Sequence, residues 1–289
     1  MHKVTLEQWR MLQAVVHHGG FAQAAQAIHK SQSSINHAVH KLQDQLGLKL
    51  LEVRGRKAYL TDEGELMLRR ADQLLAQAAQ LQDVANGLAL GQEPEVRVAV
   101  DEIYPHERLA TALQTLSQKY PNTRVQLMET VLSGGAEKFL SGEADLLIAG
   151  SAPQGFLGEH IQQIEFIAVA HPNHTLHQLN RELNLQDLVQ HRQIVVRDSA
   201  AQGKTDSGWL GAQQRWTVSH IQTSVDMVIR GMGFAWLPES RIHQAMTNNL
   251  LKALPLEQGS RRSSSLYLTY ANKDKAGPAT CYLATLLLA

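Results

Sequence analysis

Six side chains between residues 32 and 40 are of types that could work on a nucleic acid. Gln32, Ser33, Ser34, Asn36, His37 and His40 are short or flexible hydrogen-bond donors and acceptors. They gather at the start of one predicted helix, where a merely solubilising face would carry Glu and Lys. Amides and hydroxyls of this kind can pair with base edges in a major groove. A second group suits phosphate. Ser31, Lys30 and Lys41 flank the same helix, and Arg54, Arg56 and Lys57 surround Gly55. Cations on phosphate give affinity and register but little sequence choice.

Two helices must position the first group. Phe21, Ala24, Ala25 and Ile28 fall at i, i+3, i+4 and i+7, and Ile35, Val39, Leu42 and Leu46 repeat that spacing. Ser31 is placed to cap the second helix and Gly47 to end it. The alanines allow close approach. Taken alone, this describes any helical hairpin, but its neighbours favour a helix-turn-helix. Thr5 and Gln8 fit a capping box before Leu6, Trp9, Leu12 and Val16, and His17-His18-Gly19-Gly20 breaks that first helix. Downstream, two short extended runs flank Arg54-Gly55-Arg56-Lys57, as in a hairpin wing with a basic tip.

From Asp62 to about Asn86 there is no proline and one glycine, Gly64. Met67, Ala71, Leu74, Ala78, Leu81, Ala85 and Leu88 alternate at spacings of four and three, the seam of a self-pairing helix. A dimer would set two recognition helices on two half-sites, so the expected target is double-stranded DNA bearing an interrupted inverted repeat. Gly87, Gly91 and Pro94 mark a hinge.

The remainder alternates strand and helix. Runs at 95–100, 124–129 and 145–149 read as strands, with helices at 109–120 and 135–140. A second set follows at 167–170, 194–196 and 234–237, and 266–270 returns the chain to the first lobe. This predicts a sheet of parallel strands covered on both faces, in two lobes with a cleft between them. Expected ligand contacts lie at strand ends facing the cleft: Asp101, Glu102, Ile103, Leu132 and Ser133 from one lobe, and Arg197, Asp198, Ser199, Thr223 and Ser224 from the other. Arg197 could grip a carboxylate or form a structural pair with Asp198. Gly231 and Gly233 follow a helix and precede a strand, the reverse of a dinucleotide site.

Residues 4–64 resemble the DNA-binding domain of LysR-type transcriptional regulators. The resemblance runs through Gly20-Phe21, Ala24-Ala25, Ser31-Gln32, Leu42, Leu46-Gly47, Leu50, Leu60-Thr61 and Gly64. Ser33, Asn36, Gln43, Leu51 and Val53 stand where the family commonly has Pro, Ser, Glu, Phe and Arg. The rest resembles that family's effector domain, itself similar to periplasmic binding proteins, through Gly142-x-x-Asp145 and Gly231-Met-Gly233-Phe-Ala-Trp-Leu-Pro238. The resemblance implies a DNA-binding regulator controlled by a small organic effector, assembled as a homodimer or a dimer of dimers. Ile103 and Leu132 stand where the family often presents small hydroxyl residues, which points to an apolar or aromatic effector. The expected architecture is therefore an N-terminal all-α winged helix-turn-helix (1–61), a long linker helix (62–91), and a C-terminal α/β two-lobed, periplasmic-binding-protein-like effector domain (92–289, second lobe roughly 166–262).

Bulk properties agree. In 289 residues, 44% hydrophobic and 19% charged, the net charge is zero. Residues 1–70 nevertheless hold ten Lys and Arg against six Asp and Glu, a basic head on a neutral protein. The alternative is a small-molecule-binding α/β protein or enzyme with a helical appendage. No metal spacing, phosphate loop or nucleophile elbow supports it, and no catalytic residue, metal or cofactor is expected. His17-His18 and His171-Pro-Asn-His174 are the nearest approach to metal pairs. A single cysteine, Cys281, forbids an intrachain disulfide and is expected to be a buried small hydrophobe. The start of the chain lacks a charged-then-apolar leader and its last apolar run is too short to span a bilayer, so a cytoplasmic, membrane-free location is expected.

Overall fold

The computed structural model describes residues 3–54, 57–202 and 205–289. The chain divides into two compact units, Met1–Leu90 and Gly91–Ala289.

In the first unit, α1 (Leu6–His17) opens on the expected capping box. Thr5 Oγ1 accepts from the Gln8 N–H, and Gln8 Oε1 accepts from the Thr5 N–H at 2.7 Å. α2 (Phe21–Ala27) and α3 (Gln32–Leu46) follow, joined through His29 in a left-handed conformation (φ +54°). Ser31 caps α3, and Gly47 ends it at φ +66°. Trp9, Leu12, Val15, Ala24, Ile35, Val39 and Leu42 form one core. Each large apolar side chain among them contributes about 1.5–3 kcal/mol by leaving water. The wing is β1 (Leu51–Arg54) paired antiparallel with β2 (Lys57–Leu60). Its tip, Gly55 and Arg56, lies outside the described residues, so the Arg56 expectation has no structural counterpart. Gln43, where the family has Glu, accepts from the N–H groups of Leu50 (2.7 Å) and Leu51 (3.1 Å), tying α3 to the start of the wing.

The helix α4 (Asp62–Ala89) is capped by Thr61. The anticipated seam divides along it. Ala71 is buried and Met67 packs on the head core, together with Leu68 and Leu75. Those first turns serve their own unit, because Gly64 brings α4 directly onto Leu50. Leu74, Leu81 and Leu88 face solvent, Leu81 with 72% of its surface exposed.

In the second unit, β3 (Glu95–Asp101), α5 (His106–Lys119), β4 (Arg124–Thr130), α6 (Gly134–Leu140) and β5 (Leu146–Ala149) build a first lobe. β6 (Gly158–Ala170) then crosses into the second lobe. That lobe contains α7 (Thr175–Gln178), α8 (Leu185–Leu188), β7 (Gln193–Val196), β8 (Arg215–Val218), α9 (Ile221–Ile229), β9 (Phe234–Pro238), α10 (Glu239–Thr247) and β10 (Lys252–Ala253). β11 (Arg261–Tyr270) crosses back, and α11 (Pro278–Leu288) packs on α5. The sheet order is β4-β3-β5-β11-β6-β9-β7-β8, with β10 on β6. The expectation of parallel strands holds within each lobe, but β6 and β11 run antiparallel to each other, β11 to β5 and β6 to β9. A chain that leaves a lobe and returns on an adjacent strand must come back in the opposite direction.

Two sequence motifs find structural reasons. Asp145 takes Arg97 in two side-chain hydrogen bonds (2.7 and 3.2 Å), and Arg97 also donates to the Gly142 carbonyl. Gly231 (φ +73°) follows α9, and a Cβ at Gly233 would overlap the Arg192 carbonyl. Cys281 departs from expectation. It is half-buried, its thiol directed at the Ala276 carbonyl at 3.6 Å, because α11 leaves that flank partly open.

Candidate functional site

On the head, burial of Ile35, Val39 and Leu42 turns the opposite side of α3 outward. Gln32, Ser33, Ser34, Asn36, His37, His40 and Lys41 are all exposed on it. The phosphate candidates are less uniform. Ser31 Oγ accepts from the Ser34 N–H (3.2 Å) and lies 3.1 Å from Ser33 Oγ, so its first task is capping. Lys30 is ion-paired with Glu7. Arg54 pairs with Glu52 at 3.1 Å and lies over the Tyr59 ring at 5.7 Å. Lys57 stands opposite Arg54 across the wing. Val53 is 60% exposed and, by strand alternation, projects from the face opposite Arg54.

In the second unit a cavity of about 430 Å³ opens at the carboxyl ends of β3 and β4. Five of the ten expected ligand contacts line it: Asp101, Ile103, Leu132, Ser133 and Ser224. Leu132 sits at φ +53°, a conformation that costs a non-glycine residue free energy and that collects at ligand clamps. Ser224 is fully buried and its hydroxyl has no partner among the described residues.

Glu102, Asp198 and Ser199 do something else. They join the lobes. Glu102 Oε2 accepts from the Ile221 N–H at the start of α9 (2.7 Å), Oε1 meets His220 Nδ1 (2.6 Å), and the Glu102 carbonyl accepts from Arg241 (2.6 Å). Asp198 accepts from the Ser133 hydroxyl and from the N–H groups of Ala200 (2.9 Å) and Thr205 (2.8 Å). Ser199 Oγ accepts from the Val131 N–H (2.9 Å). Burial works against the Asp198 carboxylate, yet these bonds outweigh it and hold its pKa below the usual value. Arg197 and Thr223 are exposed and line no part of the cavity. No Arg197–Asp198 ion pair forms, because Asp198 turns inward to the other lobe while Arg197 turns out.

The rest of the lining was not foreseen as ligand-facing. Phe166, Gln193, Trp209, Trp236 and Arg262 come from β6, β7, the loop after it, β9 and β11. In the sequence Trp236 reads only as part of a strand, and Arg262 carries no motif. The sole available signal was an arginine beside a Ser-rich strand, which is weak.

Asp101 is nearly fully buried. Burial drives its pKa up from 3.8 to about 7, against bonds from the Ile103 and Leu132 N–H groups, with Glu102 and Asp198 adding repulsion. A folded-state pKa raised above the unfolded value makes the contribution to stability complete below about 4 and lost as pH rises through about 7. His174 slopes the other way. Burial, then His191, His177 and His171, lower its pKa from 6.5 to about 4, so its contribution is present above 6.5 and lost as pH falls through about 4. Asp101→Asn should therefore gain melting temperature relative to wild type as pH is raised from 4 to 8 in calorimetry. A constant difference across that range would refute the burial assignment.

Among the described residues no group of three His, Cys, Asp or Glu side chains is placed to hold a metal ion, and no helix is long and apolar enough to cross a membrane.

A winged helix-turn-helix with a polar recognition face, and a two-lobed α/β unit enclosing a small-molecule cavity, define a DNA-binding regulator under effector control. The chain belongs to the LysR family. Residues 6–65 match the bacterial regulatory helix-turn-helix protein, lysR family, and residues 89–288 match the LysR substrate binding domain. Relatives include the uncharacterized HTH-type transcriptional regulator YeeY of Escherichia coli K12, 29% identical over 82% of this chain and 78% of that protein. The probable HTH-type transcriptional regulator YhaJ of the same organism is 27% identical over 89% and 88%. Among solved structures, the full-length Vibrio cholerae virulence activator AphB aligns over 99% of both chains at 17% identity, with a TM-score of 0.54. CrgA of Neisseria meningitidis aligns over 98% and 97% at 19% identity, also with a TM-score of 0.54. These likenesses show a shared fold.

Proposed function

We propose that this regulator reads its operator through Gln32, Ser33, Ser34, Asn36, His37 and His40, and holds phosphate with Ser31, Lys30, Lys41, Arg54, Arg56 and Lys57. The observation that carries this reading is the wholly polar, wholly exposed outer face of α3 over a buried Ile35-Val39-Leu42 stripe. Lys30 and Arg54 must exchange Glu7 and Glu52 for phosphate, so Lys41 and Lys57 contribute more per residue. The exposed leucines of α4, Leu74, Leu81 and Leu88, support pairing of two chains, with Ala78 and Ala85 between them. Two heads then meet an interrupted inverted repeat. The functional divisions are a head (1–61), a linker helix (62–91) and an effector domain (92–289).

The effector enters the cavity against Asp101, Ile103, Leu132, Ser133 and Ser224. Glu102, Asp198 and Ser199 hold the lobes in one arrangement, and the effector shifts the population between arrangements. The chain acts by binding rather than as an enzyme, and it works in the cytoplasm, where its DNA lies.

Selection from random duplex DNA tests the head. An interrupted palindrome is the expected product. Asn36→Ala or Gln32→Ala should relax preference at particular base pairs, whereas Arg56→Ala/Lys57→Ala should weaken all sequences alike. The double variant should also reduce the slope of log affinity against log salt by about 0.9 for each cation lost. An unchanged slope removes the wing from the phosphate interface.

A further inference from the structure

We propose that the effector is an aromatic carboxylate, with its carboxylate on Arg262, its ring against Trp209 and Trp236, and a hydrogen-bond donor on that ring. The inference deepens the reading of the cavity as the effector site and rests on it.

Arg262 is the one cation lining the cavity among the described residues. It forms no ion pair and donates no side-chain hydrogen bond among them. The guanidinium lies over two π-faces, Phe166 at 5.0 Å and Trp236 at 5.9 Å. Burial alone pushes its pKa down, with no anion compensating. A guanidinium carries five donors in a planar fork that matches a carboxylate. Half-buried in the cavity wall with those donors unspent, it is open to an anion, and no acidic side chain among the described residues pairs with it. Asp101, the one acid in the lining, is already committed to the Ile103 and Leu132 N–H groups.

The walls beside Arg262 select the rest of the ligand. Trp209 and Trp236 lie 6.0 Å apart, and Gly208 (φ +79°) packs against the guanidinium where a Cβ would overlap it. Two neighbouring indole faces suit a flat ring. The Trp236 N–H is occupied by the Gly259 carbonyl at 2.8 Å, so that indole offers its face. A single guanidinium suits one carboxylate better than a polyphosphate, and it repels a cationic ligand.

One polar atom adds a further demand. Gln193, a lining residue, donates from Nε2 to the Trp209 carbonyl at 2.7 Å, which fixes the amide and leaves Oε1 buried without a partner among the described residues. An amide oxygen accepts only, so the ligand must bring an O–H or N–H.

Isothermal titration of the full-length chain with three probes of one shape tests this. The probes are 6-hydroxy-2-naphthoate, 2-naphthoate and 6-hydroxy-2-naphthamide. The hydroxy acid should bind at least about tenfold tighter than its neutral amide, as a charge-assisted pair predicts, and several-fold tighter than 2-naphthoate. Arg262→Met should erase the preference for acid over amide, and Arg262→Lys should retain part of it. An amide that binds as tightly as the acid in wild-type protein overturns the proposal without need of any variant. So does an acid preference that survives Arg262→Met, or no heat from any probe at millimolar concentration. Ala136→Phe, which fills the cavity, separates the two levels. Loss of amide binding in it keeps the cavity as the effector site while the anionic class falls, and binding that persists in it removes the cavity as well.

Discussion

Replacing Gly64 with valine should unfold the head at temperatures where the wild-type head is intact, and DNA binding should disappear with it. Gly64 is the third residue of α4, and a Cβ there would overlap the Leu50 carbonyl oxygen and crowd its carbon. Leu50 cannot retreat. Its side chain is fully buried, its N–H donates to Gln43, and its carbonyl accepts from the Thr61 N–H at 3.0 Å. Thr61 Oγ1 adds a bond to the Lys49 carbonyl (2.6 Å) while accepting from the Gly64 N–H (3.0 Å). Overpacking against a side chain costs about 1–3 kcal/mol, and against fixed backbone the upper end applies. In a unit of this size that lowers the melting transition by about 12 degrees or more. Circular dichroism melts alongside DNA titration would measure it, with alanine as the milder substitution. A Gly64→Val transition within about two degrees of wild type would show that the linker helix does not need that approach.

Glu102→Ala should loosen the joint between the two lobes and blunt the response to effector. The Glu102 carboxylate leaves the end of β3 and accepts the first N–H of α9, a group with no partner inside its own helix. It also places a negative charge at that helix N-terminus, where the dipole favours one. With Glu102 nearly buried, removing it strands the Ile221 N–H at a cost of about 1–3 kcal/mol, while exposed His220 turns to water. Hydrogen exchange at Ile221 to Ser224 should accelerate in the variant, and Glu102→Gln, which keeps an acceptor, should fall between. Exchange identical to wild type across those amides would leave Glu102 without a joining role.

The head was legible because its signals are local. A capping pair three residues apart, a Ser before a helix, a Gly after it and a period-3.6 stripe each state their geometry within one turn. The effector unit was legible as alternating strands and helices but not in its longest elements. β6 was read only at Ile167–Ala170, because its earlier half, Gly158 to Glu165, is polar and partly exposed and pairs with the equally polar Ser263–Ser265 of β11. Edge strand β8 was missed for the same reason, with Arg215, Trp216 and Thr217 all exposed. The ligand-facing set was half legible. Strand ends could be found by counting, so Asp101, Ile103, Leu132 and Ser133 were in reach. Whether a polar side chain at a strand end faces a cavity or clasps the opposite lobe depends on the second lobe's position, which no local pattern records. Glu102, Asp198 and Ser199 fall on the other side of that distinction, while Arg262 and Gln193 come to line one cavity only through the order of distant strands in the sheet.

The return path of β11 has a consequence during synthesis. The second lobe is one uninterrupted stretch, whereas β5 pairs with Leu268 and Tyr270, and α11 closes the first lobe through Glu93, whose carboxylate accepts the Ala279 and Thr280 N–H groups. The first lobe therefore gains its last neighbours only after the whole second lobe has been made, while the head, with its own core, comes before both. A truncation within β11 or α11 should leave the head and α4 folded but the first lobe unclosed, so that it competes for operators without answering the effector. Such truncations should behave as dominant alleles, not as simple losses.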